Sequence, residues 1–255
     1  MNAQPSAGAS FDSLAVDYDT RFGVSPTGRL FRFRLAERLA SQVVPGAHIL
    51  DIGCGTGEDA MWLAGQGYEV HGIDASPKMI EAARAKARAR GSRATFECRT
   101  AESLAGEAAK FGAVISNYGA LNCVPLEVWA GIVPRLLQPS GRAFVVLMGR
   151  RPLPEGARGG FDAVDRGALA EVRVGLSSVR VRYESADAVR RALQPSVTVT
   201  RVEAMGCLVP GPGYPGFAMR HPIVIGLLAM GESFLRTAPW FRGRGDHTLF
   251  EFQRR

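Results

Sequence analysis

The sequence predicts an α/β protein built on a doubly wound, mostly parallel β-sheet. Strand-like apolar segments alternate with helical segments between residues 48 and 148. A glycine-rich loop directly follows the first of these segments. The fifth segment, residues 143–148, is apolar throughout, which is typical of a strand covered on both faces. Together these observations favour a parallel sheet with helices on both sides.

The central part of the chain divides into five predicted strands and three predicted helices. The strands cover residues 48–51, 69–73, 94–98, 112–116 and 143–148. The helices cover residues 57–66, 77–90 and 125–137. The second helix has the clearest boundaries, because Ser76 is a good N-cap, Pro77 suits the first helical position and Gly91 follows the last turn.

Other patterns flank this core. Residues 1–10 are predicted to be a disordered tail, followed by helices at 11–22 and 27–42. After Gly149, residues 171–183 alternate at period two and predict a small hairpin. The remaining predicted elements are a helix at 186–193, a strand at 197–207, an apolar helix at 222–235 and a closing strand at 248–252.

Composition limits the kinds of partner. The net charge is +7, which can mark a nucleic-acid binder. The arginines are spread along the chain, however, and their excess also follows from GC-rich coding, so nucleic acid is not favoured. The four cysteines form no C-x-x-C pair, and we predict neither a zinc site nor a disulfide framework. With no secretion signal recognised and no apolar run of the roughly 18 residues needed to span a bilayer, we expect a cytoplasmic protein.

The stretch HILDIGCGTGEDA, residues 48–60, carries the functional signal. Three glycines after a strand let backbone approach a ligand closely, and the next helix offers unpaired N–H groups. A dinucleotide fingerprint fits residues 55–60 formally, but Asp51 would repel a pyrophosphate. A carboxylate there suits an ammonium or a sulfonium instead. Asp74, at the end of the second strand, can accept hydrogen bonds from ribose hydroxyls.

The runs LDIGCGTG and GIDASPKMI resemble motifs I and II of the class I S-adenosylmethionine-dependent methyltransferases. The resemblance covers residues 11–148. It implies a seven-stranded sheet whose last strand is antiparallel, which residues 248–252 would supply. It also implies S-adenosyl-L-methionine as cofactor and S-adenosyl-L-homocysteine as product. The chain would then be one domain, with cap helices at 11–45, a cofactor-binding core at 46–149, a substrate-side region with a lid at 150–246 and the last strand at 247–255.

The same resemblance implies roles for individual residues. Gly53, Cys54 and Gly55 would present backbone to the methionine moiety, with Asp51 near its ammonium and Asp74 on the ribose. Tyr18 resembles a tyrosine that closes over the cofactor. The remaining implied cofactor contacts are Ala75, Met79, Thr100, Ala101, Glu102, Asn117 and Tyr118. Thr100 stands where many relatives carry an acid, which weakens its implied bond to the adenine amine.

The acceptor is less clearly indicated. The runs that mark DNA amino- and cytosine-methyltransferases are missing, since the fourth strand is followed by SNYGALN and Cys123 precedes rather than follows a proline. The variable segments contain aromatic residues that suit a small, partly apolar acceptor. These are Phe161, Tyr183, Tyr214, Phe217, Trp240 and Phe241. An RNA or protein methyltransferase and a non-catalytic cofactor-binding regulator remain alternatives. The C-terminal part also resembles a group of uncharacterised bacterial methyltransferases, and the oligomeric state is not indicated.

A hydroxyl or amine acceptor must lose a proton, and histidine suits that task. His48 and His71 fall in the predicted parallel strands and are expected to be structural. His221 and His247 lie near the predicted lid, and His247 follows an acid, Asp246. We slightly favour His221 as the base, then His247, with Tyr118 as a further candidate. No metal site is expected.

Overall fold

The computed structural model describes residues 7–20, 25–150, 152–153, 168–174, 177–211 and 215–255. Its centre is a seven-stranded sheet with the strand order β3-β2-β1-β4-β5-β9-β8. The strands of this sheet are β1 (His48–Ile52), β2 (Glu69–Asp74), β3 (Thr95–Cys98), β4 (Phe111–Ser116), β5 (Leu137–Met148), β8 (Val197–Met205) and β9 (His247–Arg254). β9 pairs antiparallel with both β5 and β8, and the other six strands share one direction. The predicted fold class and the antiparallel last strand are confirmed.

Helices cover both faces of the sheet. They are α1 (Ala7–Phe11), α2 (Pro26–Ala40), α3 (Glu58–Gly65), α4 (Pro77–Arg90), α5 (Leu126–Leu136), α6 (Ala186–Leu193), α7 (Pro215–Arg220) and α8 (Pro222–Leu235). α2, α3 and α4 bury apolar residues against one face. Phe31 of α2 belongs to the same buried cluster as Phe144 of β5. α5 and α6 cover the other face, around the fully buried Trp129. A separate hairpin joins β6 (Leu169–Val174) to β7 (Ser177–Arg182), as the alternating pattern predicts.

Helix boundaries follow the capping residues in the sequence. The Ser76 hydroxyl accepts from the Met79 N–H at 3.1 Å, Pro77 opens α4, and Gly91 ends it in the left-handed conformation. The hydroxyl of Ser25 caps α2 in the same way, accepting from the Gly28 N–H at 3.0 Å.

Two predictions for the N-terminus are wrong. Residues 7–10 are not disordered, because α1 lies against the sheet edge with Ser10 buried and Gly8 packed directly on the carbonyl of Ala75. A side chain at position 8 would overlap that carbonyl, so glycine permits the contact. Residues 11–22 are also not one helix. After α1 and a 3₁₀ turn, Asp12–Leu14, the chain bends, and acidic side chains bond to distant groups instead of the local helix.

Two further differences are small. β5 begins at Leu137 rather than at residue 143, because Leu137 already pairs with Phe111 of β4 across a bulge. β8 ends at Met205 rather than at residue 207. Residues 1–6 of the predicted tail and residues 21–22 of the predicted helix lie outside the described residues.

A buried ion pair fixes α8 to the body of the protein. Glu232 of α8 is fully buried and bonds the guanidinium of Arg34 on α2. Its carboxylate also accepts from the backbone N–H groups of Gly206, Leu208 and Val209 at 2.9, 2.8 and 3.0 Å. Burial alone would raise the pKa of Glu232, but Arg34 and these N–H groups outweigh it and the pKa is lowered.

None of the helices in the described part of the chain is long and apolar enough to cross a membrane.

Glu232→Ala should lower the free energy of unfolding by about 3–5 kcal/mol, because Arg34 and three N–H groups lose their partner. Since the folded pKa of Glu232 lies below its ordinary value of 4.5, its stabilisation is present above that value and lost as the pH falls below it. Wild-type stability should therefore decline more steeply than that of Glu232→Gln on acidification. Urea denaturation between neutral and acidic pH measures both effects. Glu81→Ala, which breaks the exposed pair with Lys78, is the control and should cost about 0–1 kcal/mol. Equal losses in the two alanine variants would contradict the anchoring role.

Candidate active site

The glycine loop between β1 and α3 is held in a conformation that side chains rarely adopt. Gly53, Gly55 and Gly57 have φ of +74°, +53° and +79°. The N–H groups of Gly53 and Cys54 both donate to the carbonyl of Ile73, at 2.8 and 2.9 Å, which ties the loop to the end of β2. A Cβ at Gly53 would lie 2.2 Å from the Cβ of Ala120, so the backbone approaches its neighbour as closely as it can.

Asp74 joins this loop to the second strand. One carboxylate oxygen accepts from the Gly55 N–H at 2.9 Å and the other accepts from the Ser76 N–H at 2.8 Å. Burial raises the pKa of Asp74, although both hydrogen bonds lower it. The carboxylate thus shapes the loop, and its remaining lone pairs can still accept from a ligand.

Asp51 is a buried acid whose negative charge is poorly compensated by the residues around it. It is 2% exposed near the end of β1, and no hydrogen bond to its side chain occurs among the described residues. Burial raises its pKa well above the ordinary value, and Asp59 and Asp74 raise it further, while Arg32 opposes them. Asp51 therefore lies within the electrostatic influence of two further carboxylates and one guanidinium, an environment that a cationic ligand would stabilise.

A polar network continues from there along the sheet edge. Arg32 of α2 lies 3.4 Å from a carboxylate oxygen of Asp59, whose other oxygen accepts from the Asn117 amide at 3.0 Å. The Asn117 oxygen accepts from the Tyr118 N–H at 2.9 Å, and the Tyr118 hydroxyl donates to the carbonyl of Gly28 at 2.6 Å. The guanidinium of Arg32 lies 5.3 Å from the centre of the Tyr118 ring. The network holds Tyr118 in place although its φ is +52°.

Arg32 and Asp59 were missed by the sequence analysis. Asp59 belongs to the quoted glycine stretch, so its position was a signal that could have been used. Arg32 lies in an ordinary amphipathic helix and shares no motif with the loop, so only the packing of α2 reveals it.

The N-terminal segment lies on the glycine loop. An idealised Cβ at Gly55 would be 3.8 Å from the ring of Tyr18, so the predicted tyrosine lies against the predicted loop. Asp19 accepts from the Thr56 hydroxyl at 2.5 Å and pairs with Lys86 of α4 at 2.5 Å. Burial raises the pKa of Tyr18 above its ordinary value, so the ring carries no charge near neutrality.

The other predicted cofactor contacts are spread around the carboxyl edge. Ala75 follows β2, and Met79, in the first turn of α4, is 2% exposed. Thr100, Ala101 and Glu102 follow β3, where the Thr100 hydroxyl accepts from the Ser103 N–H at 3.3 Å. Burial, with Asp51 as the next cause, raises the pKa of Cys54.

The two candidate histidines differ in setting. His247 opens β9, is 5% exposed, and its Nδ1 lies 2.8 Å from a carboxylate oxygen of Asp246. Its ring packs edge-on against Tyr118, with centroids 6.3 Å apart. His221 is exposed at the start of α8 and its ring contacts Phe217, with centroids 4.9 Å apart. Among the described residues, His247 rather than His221 packs against Tyr118. This contact favours His247 as the candidate base, whereas the sequence slightly favoured His221.

Other predicted residues fall in several places. His48 and His71 are strand residues beside Glu69 and Glu97, in line with a structural role. Tyr183 is buried, while Trp240 packs on Phe241 and is 55% exposed. Phe161 and Tyr214 lie outside the described residues. Within the described ranges, no cluster of three His, Cys, Asp or Glu could hold a metal.

A cavity of about 290 Å³ lies between α2 and α3. Its walls are largely apolar, with Phe33, Trp62 and Ile115 among them. Arg32 and Asp59 also line it, so the cavity and the polar network share these two side chains.

Comparisons with known proteins indicate the family of this chain. A family model described as a methyltransferase domain matches residues 49–141. A demethylmenaquinone methyltransferase of Thermus thermophilus is 36% identical over 152 residues, which cover 58% of this chain and 68% of that protein. This chain belongs to the class I S-adenosylmethionine-dependent methyltransferases.

One further sequence relative matches less of its own length, whereas two solved structures align over most of theirs. A ubiquinone biosynthesis O-methyltransferase of Methylocella silvestris is 34% identical over 114 residues, so the match spans 45% of this chain and 44% of that protein. A structure from a study of disulfide-to-thioacetal conversion during echinomycin biosynthesis is 26% identical, with a TM-score of 0.56 over 94% of this chain and 90% of the other. An S-adenosylmethionine-dependent methyltransferase from Mesorhizobium loti shares the fold, with 20% identity and a TM-score of 0.61 over 87% and 96%.

The residues of this methyltransferase fit its cofactor. S-adenosylmethionine carries an ammonium and a sulfonium, and Asp51 supplies a buried carboxylate for which the described residues provide no hydrogen-bond donor. The glycine loop places backbone without side chains directly after β1, in the positive-φ conformation that glycine tolerates.

Gly53→Ala should lower the free energy of unfolding by about 1–2 kcal/mol from its left-handed backbone alone. The overlap with Ala120 adds to this loss and displaces the loop, so cofactor affinity should fall as well. Urea denaturation and calorimetry measure the two effects. Ala120→Gly in the same chain should recover the part due to overlap but not the part due to backbone strain. Gly65→Ala is the control, since its Cβ would meet no atom within 4 Å. If Gly53→Ala is as well tolerated as Gly65→Ala, the constraint on the loop is refuted.

Asp51→Asn should stabilise the protein without cofactor near neutral pH, because it removes a buried, uncompensated charge. The folded pKa of Asp51 is raised, so wild-type stability should fall as the pH rises from the ordinary aspartate value through the raised one. The variant should lack this slope in urea denaturation. Its affinity for S-adenosylmethionine should fall by about tenfold or more, the loss expected for a charge-assisted hydrogen bond. Asp187→Asn, on the surface of α6, should change neither quantity. A variant that is less stable yet binds normally would rule out this role for Asp51.

Proposed function

We propose that this protein transfers the methyl group of S-adenosylmethionine to an oxygen or nitrogen atom of a small, partly apolar acceptor. The observation that carries the proposal is the buried His247–Asp246 pair, which lies against Tyr118 at the sheet edge that also holds Asp51 and the glycine loop. The proposed proton acceptor and the proposed donor site thus lie at the same edge of the sheet, with Tyr118 beside His247.

In the proposed reaction, S-adenosylmethionine supplies a methyl group on a sulfonium, which is already a good leaving group. Asp51 and the backbone of Gly53 and Gly55 hold the donor, and Asp74 binds its ribose. Most of the barrier can be lowered by positioning alone, because an in-line displacement needs its two reactants aligned. Asn117 and Tyr118 line the edge next to the donor.

Proton removal is assigned to His247. The carboxylate of Asp246 accepts the Nδ1 proton of the imidazole, which leaves Nε2 as the nitrogen able to take a proton from the acceptor. Asp246 then stabilises the imidazolium that forms. Burial raises the pKa of Tyr118 to about 12, so its hydroxyl stays protonated and is a poor base. His221 and Tyr118 remain the alternatives.

Two observations support a small acceptor. The 290 Å³ cavity beside Arg32 and Asp59 has mainly apolar walls, which suits a partly apolar molecule. The relatives named above act in ubiquinone and menaquinone synthesis, and the structure with 26% identity comes from work on echinomycin biosynthesis. Quinone precursors and specialised metabolites are therefore the first acceptors to assay.

Several arginines are engaged within the protein, which reduces the charge available to a nucleic acid. Arg38 and Arg142 both bind the buried Glu251, at 2.6 and 2.9 Å, and Arg84 donates to the carbonyl of Phe96 at 2.7 Å. A methyltransferase that acts on RNA or protein, or a regulator without catalysis, would bind its partner at the same sheet edge through other contacts. Binding of RNA with a steep salt dependence would favour the first of these.

His247→Gln should lower kcat by about 10²–10⁴-fold, while donor binding stays unchanged. The assay follows release of S-adenosylhomocysteine with demethylmenaquinone and hydroxylated aromatic compounds as acceptors, and calorimetry follows the donor. His71→Gln, on β2, is the matched control and should keep full activity. If His247→Gln keeps the wild-type rate, catalysis depends on proximity or on another group. If no acceptor in the panel is methylated although the donor binds, the small-molecule proposal loses its support.

A further inference from the structure

The outer face of α8 is apolar yet exposed. Ile223, Leu227, Met230 and Phe234 recur at helical spacing and are 79%, 59%, 57% and 79% exposed. Val224 beside them is 42% exposed. The opposite side of the helix is buried, at Ile225 and at Glu232. A contiguous apolar stripe of this size on a protein surface usually marks an interaction site.

This face cannot turn inward without breaking the anchor of the helix. Glu232 points directly away from the stripe and binds Arg34 and three backbone N–H groups. Rotating α8 to bury the stripe would expose that carboxylate and leave Arg34 buried without a partner, which is strongly unfavourable. The stripe is therefore held outward by the fold.

The segment of chain that contains α8 carries mostly arginines among its charged residues, of which Arg236 already pairs with the buried Glu203 at 3.1 Å. Between residues 204 and 245 the sequence contains four arginines, at 220, 236, 242 and 244, and a single acid, Glu232. Glu232 is fully buried in its ion pair, so no exposed acid interrupts this segment. Arg220 is exposed directly before α8, and Arg244 lies over the exposed ring of Trp240, 4.1 Å from its centre.

We propose that the outer face of α8, with Arg220 at its start, docks on the surface of a membrane that contains anionic lipid. A helix with apolar side chains on one face and arginines beside them lies in the interface between headgroups and acyl chains, where both parts are satisfied. Tryptophan is common at that depth. The helix does not span the bilayer, which agrees with the finding on spanning helices above. A second copy of the chain would need acids to meet these arginines, and this segment offers none on its surface.

The test is co-sedimentation of the full chain with vesicles of phosphatidylcholine, with and without phosphatidylglycerol. We expect binding to the vesicles that contain phosphatidylglycerol, and weaker binding at high salt. Leu227→Ser with Phe234→Ser should weaken binding by about tenfold or more. Arg220→Gln should weaken it by about fivefold. Val44→Ser, at an exposed apolar site away from α8, and Arg88→Gln, on α4, remove the same kinds of side chain and should leave binding unchanged.

Three outcomes overturn the proposal. Wild-type protein that stays in solution with both kinds of vesicle contradicts it directly. Equal losses in the control variants would show attraction by net charge rather than by this face. Dimers that depend on concentration and vanish in the serine variants, without vesicle binding, would assign the face to a second copy. Because the changed residues are exposed, unchanged thermal melting of each variant ensures that a loss reports on the surface. The test needs no acceptor, so it stands or falls independently of the proposed reaction.

Discussion

The hydrogen bond from the Gly55 N–H to the partly buried carboxylate of Asp74 is the constraint on which the site depends. It ties the loop after β1 to the end of β2, and the second oxygen of Asp74 continues into the cap of α4 through Ser76. The loop can follow this path because its glycines tolerate positive φ. Position 53 must also be a glycine, since Ala120 leaves no room for a Cβ there. The N-terminal segment then covers the loop through Tyr18 and Asp19.

Two buried carboxylates show how differently the fold treats charge. Glu232 is fully compensated by Arg34 and backbone donors, and its pKa is lowered, so it serves as an internal anchor. Asp51 is equally buried but faces two further acids, and its pKa is raised, so it costs stability in the protein alone. The contrast separates an acid that the fold pairs internally from one that it leaves poorly compensated, and the difference lies in their surroundings rather than in their type.

The interactions of Glu232 also connect the outer face of α8 with the region of the His247–Asp246 pair. It fixes the loop after β8, and the Asp246 N–H in turn donates to the carbonyl of Gly206 in that loop at 3.0 Å. The helix that presents an apolar face outward is therefore connected through a short series of hydrogen bonds to the His247–Asp246 pair.

The sequence by itself determined the order of strands and helices, the capped ends of α4 and the glycine loop with Asp51 and Asp74, because strand alternation, cap residues and glycine spacing are local signals. It also placed an acid beside His247, since the two are adjacent in the chain. Tertiary structure alone decided which groups surround these residues. Arg32, Asp59 and Glu232 belong to helices with ordinary local patterns, and their roles arise from partners as far away as 198 residues in the case of Arg34 and Glu232. Burial and charge compensation are properties of the packed molecule, so the pKa of Asp51, the outward face of α8 and the proximity of His247 to Tyr118 could not be predicted from the chain.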